Sequence, residues 1–295
     1  MKKIGCLSVL AGLLAVTTAC GGEEPAETDA GTQTGTGSET STESKAGSGA
    51  ASGSENDRAS APEQIIVGTG TQFPKVAFLD EDGTLTGFDV ELVREIDERL
   101  DEYEFELRTF EFTNLLLSLE TEKIDFAAHQ FEKNEERQAK YLFNKEPYAH
   151  WKNFIIVDQN NDSIQTLDDL QGKKVLTSAT SAQAQILENY NAEHDAKIDI
   201  VYNNGGANDT VSQITTGRVD ATLAADFTLP LIDPNGKLKT TGEALSSADI
   251  LFLFRKDDPA SQKLADAIDE ALVAIKEDGT LSELSTTWLG DDFTK

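Results

Sequence analysis

The chain has 295 residues and carries 53 Asp and Glu against 25 Lys and Arg, for a net charge of −28. So acidic a surface argues against nucleic acid as a partner and against charge-driven docking on anionic lipid. With 2 cysteines and 3 unclustered histidines, neither a metal nor a cofactor is expected.

Residues 1–19 have the parts of a secretory signal. Lys2 and Lys3 precede an apolar run from Ile4 to Ala19, which ends on a small residue. That run is shorter than the ~20 residues that span a bilayer as a helix. Its end, Thr17 to Gly21, resembles the lipobox of bacterial lipoproteins, although Thr17 stands where that motif usually has Leu, Val or Ile. The resemblance implies a lipidated Cys20 as the mature N-terminus; the alternative is an ordinary cleaved signal with an incidental cysteine. Cys6 lies in the segment to be removed, so the mature chain has no cysteine pair for an intrachain disulfide. Residues 20–63 are rich in Gly, Ser, Thr, Ala and Glu and offer almost nothing apolar to bury, which predicts a disordered acidic linker. About 40 residues of such coil span roughly 35 Å, a tether for a globular body.

From Gln64 the patterns are those of a folded α/β protein. Gln64 to Gly70 reads as a buried strand, and Asp82-Gly83 as a turn between two short extended pieces. A helix is predicted from Asp89, with Leu92, Val93, Ile96 and Leu100 in helical spacing. Glu104 to Phe110 alternates as a strand, Leu115, Leu116 and Leu119 mark a helix, and Asp125 to Ala128 the next strand. The grammar then repeats: a strand from Asn153, capping-box spacing at Thr166–Asp169, a strand before Ser178, a helix, a strand, and a helix–turn–strand ending at Ala225. A strand starts at Asp249, and Asp258, Pro259 and Gly279 delimit a long helix before a last short one. By pattern alone, the tail belongs to either half.

Taken together, IIVGTGTQFP, DEDGTLTGFDVELVREI, LETEKIDFAAHQFEKNEERQAKYLFNKEPY, LDDLQGKKVLTSATS, TTGRVDATLAA and IKEDGTLSELSTTWLG resemble the amino-acid-binding class (family 3) of bacterial extracellular solute-binding proteins. The resemblance covers nearly all of Gln64 to Gly290. It implies a two-lobed periplasmic-binding-protein-like fold, each lobe a mainly parallel sheet flanked by helices. Lobe 1 would comprise 64–153 and 248–295, and lobe 2 would comprise 154–247. It also implies a cleft between the lobes that closes on a free amino acid, an ABC permease as partner and a monomer; the lipobox-like end agrees independently, with lipid anchoring on the extracytoplasmic side of the cell membrane expected.

Arg137 follows Asn134, a plausible N-cap, at the third helical position, and its planar fork suits a carboxylate. By composition alone, an arginine in a glutamate-rich helix is most often a solvated partner; the resemblance makes it the carboxylate clamp. Phe73 matches the aromatic that packs over the ligand in relatives, or else packs in the core. The turn at Thr180-Ser181 matches the one whose backbone N–H groups, opening a helix, complete the carboxylate site. Two places depart from the family. His129, Gln130 and Glu132 stand where small hydroxyl residues are usual, and Ala225 stands where an aspartate pairs with the ligand ammonium, with Asp226 one residue later. Glu132 or Asp226 is therefore expected to supply the anionic partner. The His129-Gln130 pattern is similar to the branch that includes cystine-binding receptors, which points to a polar or sulfur-containing amino acid. Two other readings stay open: a ligand-sensing lipoprotein not coupled to transport, and a dehydratase-like enzyme on the same fold. For the enzyme, no nucleophile elbow, phosphate loop or metal spacing is present, and His129 alone lies near the site.

Overall fold

A computed structural model describes residues 61–203 and 207–295. The signal segment, Cys20 and nearly all of the 20–63 linker lie outside the described residues.

In chain order the elements are β1 (Glu63–Thr69), β2 (Gln72–Phe73), β3 (Ala77–Leu79), β4 (Leu85–Thr86), α1 (Phe88–Asp97), β5 (Tyr103–Thr109), α2 (Phe112–Glu120), β6 (Phe126–Glu132), α3 (Glu135–Lys140) and β7 (Tyr141–Phe143). Then follow β8 (Ala149–Asp158), β9 (Lys174–Thr177), α4 (Ala182–Glu193), β10 (Asp199–Tyr202), α5 (Ala207–Thr215), β11 (Ala221–Ala225), α6 (Thr228–Ile232), β12 (Leu238–Arg255), α7 (Pro259–Glu277) and α8 (Thr280–Leu289). Eight strands run through one mixed sheet in the order β10-β9-β11-β8-β12-β6-β1-β5, and β7 joins it on β12. Its flanks are parallel, β5-β1-β6 on one side and β10-β9-β11 on the other. Between them β8 and β12 pair antiparallel with each other and with their neighbours. The expected mainly parallel sheets are thus joined through an antiparallel centre.

The two sides have separate cores. One gathers β1, β5, β6, α1, α7 and α8 around Phe88, Phe126, Tyr148, Phe252 and Phe254, and the C-terminal helices belong to it. The other gathers β9, β11 and α4 around Ile155, Val175, Leu187 and Leu223. Among the described residues β8 and β12 run through both, and the end of β11 adds Ala225 to the first. β12 is much longer than a strand starting at Asp249: it begins at Leu238, and its register against β8 breaks between Thr241 and Ser246. The polar residues Thr240 to Ser247 hide this first half from a hydrophobic-pattern reading, because the pairing with β8, not burial, makes it a strand.

Local sequence explains the ends of the elements that hold the cavity. Asn134 caps α3, its side chain accepting the Arg137 N–H at 2.8 Å. Ser181 caps α4 by accepting the Ala184 N–H at 3.0 Å. The helix expected after Thr166 is a single 3-10 turn, Asp168–Leu170, with both capping-box bonds between Thr166 and Asp169 in place. Gly87 precedes α1 with φ 123°, where a Cβ would lie 2.5 Å from the Val76 carbonyl oxygen, so only glycine fits the close approach.

Asp89, in the first turn of α1, is fully buried. Its Oδ2 accepts the Gln130 N–H at 2.8 Å and the Tyr148 hydroxyl at 3.2 Å, while Oδ1 has no partner among the described residues. Burial pushes its pKa from 3.8 up to about 7, with these hydrogen bonds opposing. Between these two values the folded chain holds a proton that the unfolded chain has released. The stability linked to that proton is fully present below about pH 4 and is lost as pH rises through about 7. Asp89→Asn, which keeps an acceptor and cannot ionise, is expected to lack this loss. Urea unfolding at pH 5 and pH 8 should show the native chain losing a few kcal/mol more than the variant; equal losses would contradict the assignment.

Candidate functional site

Between the two cores lies a cavity of about 240 Å³, smaller than the ~300–1,000 Å³ of a drug- or cofactor-sized pocket. Phe73, His129, Gln130, Glu132, Arg137 and Ser181 all line it. They come from β2, β6, α3 and the start of α4, four elements brought together by folding.

Arg137 is 7% exposed, and its charge has no carboxylate partner among the described residues. Nη1 donates to the Glu132 carbonyl and Nη2 to the Thr180 carbonyl, each at 2.9 Å, and the guanidinium lies 5.2 Å from the centre of the Phe131 ring. Burial lowers its pKa, and the nearby Glu132 and Glu136 charges act the other way. Two carbonyls fix the fork and leave three of its five N–H groups unassigned, enough for a bidentate carboxylate. Thr180 itself does not line the cavity. It contributes that carbonyl from a left-handed backbone, φ 65°, at the turn leading into α4.

Glu132 is buried at 6% exposure and is held by neutral donors. Oε1 accepts from Asn153 Nδ2 at 2.9 Å, Gln183 Nε2 at 3.1 Å and Trp151 Nε1 at 3.4 Å. Among the described residues Oε2 accepts only from the same Asn153 nitrogen, at 3.0 Å. No Lys or Arg side chain among the described residues makes an ion pair with it. Among the described residues the cavity wall thus holds a buried cation and a buried carboxylate that lie in each other's field but make no direct ion pair with each other or with any other charged side chain. Each is costly alone, and a zwitterion between them would satisfy both.

His129 packs beside Phe112 and Phe73, with ring centroids 5.6 and 6.2 Å away. Its Nδ1 accepts the Gly70 N–H at 3.2 Å, which leaves the ring proton on Nε2. A Cβ at residue 70 would lie 2.7 Å from the ring, so the glycine is required by this contact. Burial pushes the His129 pKa down to about 4, so the ring is neutral near pH 7 and adds a donor without a positive charge. Gln130 sits on a β-bulge with φ 54°, opposite a register shift of β12 between Leu251 and Leu253. Its backbone N–H donates to Asp89, and its side-chain amide is buried without a partner among the described residues.

Phe73 stacks on Phe227 with centroids 5.8 Å apart, and Phe110 and Phe112 add to the same apolar wall. Asp226 is not among the lining residues. Its N–H donates to the Lys152 carbonyl at 2.9 Å, and its Oδ1 accepts the Phe227 N–H at 3.1 Å, so it completes the end of β11 against β8. Sequence reasoning missed Asn153, Gln183, Trp151, Phe110, Phe112 and Phe227. The available signal was Asn153, an amide at an inward position of β8 between Trp151 and Ile155, which needs a polar partner once buried.

The model for bacterial extracellular solute-binding proteins, family 3, matches residues 65–291. Among curated proteins, the L-cystine-binding protein TcyK of Bacillus subtilis is 48% identical over 235 residues, 79% of this chain and 86% of that one. The L-cystine-binding protein TcyJ of Escherichia coli K12 is 31% identical over 236 residues, 78% and 84% of the two chains. Among solved structures, a Listeria monocytogenes protein assigned as an L-cystine ABC transporter superposes with a TM-score of 0.75 at 47% identity, covering 79% of this chain and 98% of that one. No helix among the described residues is long and apolar enough to cross a membrane.

Proposed function

This chain belongs to the bacterial extracellular solute-binding proteins, family 3, and from that premise we propose that it captures a free amino acid, L-cystine first among candidates, and delivers it to an ABC permease. The observation that carries the proposal is the pair of buried, unpaired and opposite charges, Arg137 and Glu132, on one cavity wall. Arg137 takes the α-carboxylate together with the first turn of α4, whose N–H groups and dipole favour an anion. The ammonium goes to Glu132 through Oε2, the oxygen with a single partner. Asp226 is passed over for this role because its carboxylate accepts from the Phe227 and Lys152 N–H groups and it stands outside the cavity. Phe73, Phe110, Phe112 and the neutral His129 enclose the side chain, an apolar and polarisable surface suited to sulfur.

Lobes of 64–153 with 248–295, and of 154–247, hinge on β8 and β12 as the two crossing strands. A lipid on Cys20 keeps the receptor at the outer face of the membrane, near its permease, with residues 20–63 as the tether, and the receptor works as a monomer. A thermal-shift screen against the common amino acids and cystine tests the reading. Ligand at a hundred times Kd adds roughly 2.7 kcal/mol, and for a domain of this size that raises Tm by about 5–10 °C. Cystine is expected to give the largest shift; no shift with any amino acid would overturn the proposal.

A further inference from the structure

Gln183 stands on α4, whose Leu187 and Tyr190 pack in the second core, yet its side-chain nitrogen reaches groups on the other side of the cavity. Nε2 donates to Glu132 Oε1 on β6 at 3.1 Å and to Asn153 Oδ1 on β8 at 2.6 Å. Asn153 in turn donates to both Glu132 oxygens and to the Ser246 hydroxyl on β12. One amide therefore ties the start of α4 to β6 and to the strand that runs between the cores. A second tie lies close by, Arg137 Nη2 to the Thr180 carbonyl, from α3 to the turn before α4.

We propose that Gln183 is a positioning residue for amino-acid recognition: it saturates one oxygen of Glu132, aims the other at the ligand ammonium, and so makes seating of α4 over the cavity depend on the same carboxylate that reads the α-amino group. The inference rests on the reading of Glu132 as the ammonium partner. A buried carboxylate without a cation can rotate or recruit water unless its lone pairs are filled. Asn153 and Trp151 fill part of Oε1 from the near side, and Gln183 is the donor from the far side. Discrimination follows: a ligand lacking the ammonium leaves Oε2 with its one amide partner and gains nothing from the clasp, whereas an α-amino acid completes it.

Three variants of the full chain test this by calorimetry and stopped-flow with L-cystine. Gln183→Leu removes the donor and is expected to weaken binding by about 10- to 100-fold, mostly through faster dissociation. Gln183→Asn keeps an amide one methylene shorter and should recover part of the loss. Gln183→Glu sets a second carboxylate against Glu132. Binding by that variant is expected to be weak at pH 8 and to improve at least tenfold relative to the native chain as pH falls to 5, when the new acid takes up a proton and again donates. The other charged groups around α4 do not mimic this. His129 is neutral across the range, Arg137 is charged throughout, Glu136 faces Lys140 and Gln185 on the outer side, and Asp226, one residue past the Ala225–Asn153 pair, is held by the Lys152 and Phe227 backbone outside the cavity and is the same in every variant. The native chain measured in parallel removes any titration of its own. A loss in Gln183→Glu that is the same at pH 5 and pH 8, or unchanged binding in Gln183→Leu, overturns the inference while leaving the amino-acid receptor intact. Absence of binding by the native chain instead overturns the reading on which it rests.

Discussion

Arg137→Ala is expected to weaken amino-acid binding by about a thousandfold, and Arg137→Lys by about a hundredfold, with the folded ligand-free protein retained in both. The size follows from burial. At 7% exposure the guanidinium has little water to replace a lost carboxylate, and truncating one partner of a buried, hydrogen-bonded charge pair costs ~2–5 kcal/mol. Lysine keeps the charge but not the fork. It cannot bond the Glu132 and Thr180 carbonyls while also presenting two parallel N–H groups, so the geometric part of the affinity is lost. In the free protein two carbonyls lose a donor and the contact with Phe131 goes, a change of about 1–2 kcal/mol that denaturant unfolding can measure separately. Calorimetric titration of both variants checks the ranking. Lysine binding as tightly as arginine would show that the fork does not hold the carboxylate.

Glu132→Gln is expected to cost about a hundredfold in affinity for α-amino acids and almost nothing for a ligand without the ammonium. Glutamine has the same shape and keeps an acceptor oxygen for Asn153, Gln183 and Trp151, so packing is preserved and the buried charge disappears. The free protein should be as stable as the native chain or slightly more so, because an uncompensated buried charge costs folding energy. This divergence, stability held and binding lost, separates a binding role from a structural one. Asp226→Asn serves as the control and should stay within about threefold of native affinity, since Asp226 bonds to backbone away from the cavity. If both substitutions together leave amino-acid affinity unchanged, neither carboxylate reads the ammonium.

Much of the frame was legible because it rests on local chemistry. The spacing of Leu92, Val93 and Ile96 gave α1, and Asp258, Pro259 and Gly279 gave the ends of α7. Asn134 was readable as a cap from its place before two glutamates, and the cap is what sets Arg137 one turn into α3. The long first half of β12 was not legible, since residues 240–247 carry no apolar alternation and become a strand only by pairing with β8. Nor was the mutual placement of Glu132, Asn153 and Gln183, which lie 21 and 30 residues apart along the chain and meet only because β8 crosses between two cores. Asp226 shows the same limit from the other side. A carboxylate at the end of β11 suits an ammonium ligand by sequence, yet a one-residue shift at a strand end decides which groups it meets, and it meets backbone.

The central claim, that the cavity holds a free amino acid between Arg137 and Glu132, is tested most directly by calorimetric titration of the purified chain with L-cystine near pH 7, alongside the same titration of Arg137→Ala. A saturable one-to-one isotherm with Kd of about 1 μM or tighter, abolished in the variant, is the predicted result. No heat with cystine or with any other free amino acid, or binding that survives intact in Arg137→Ala, would contradict it.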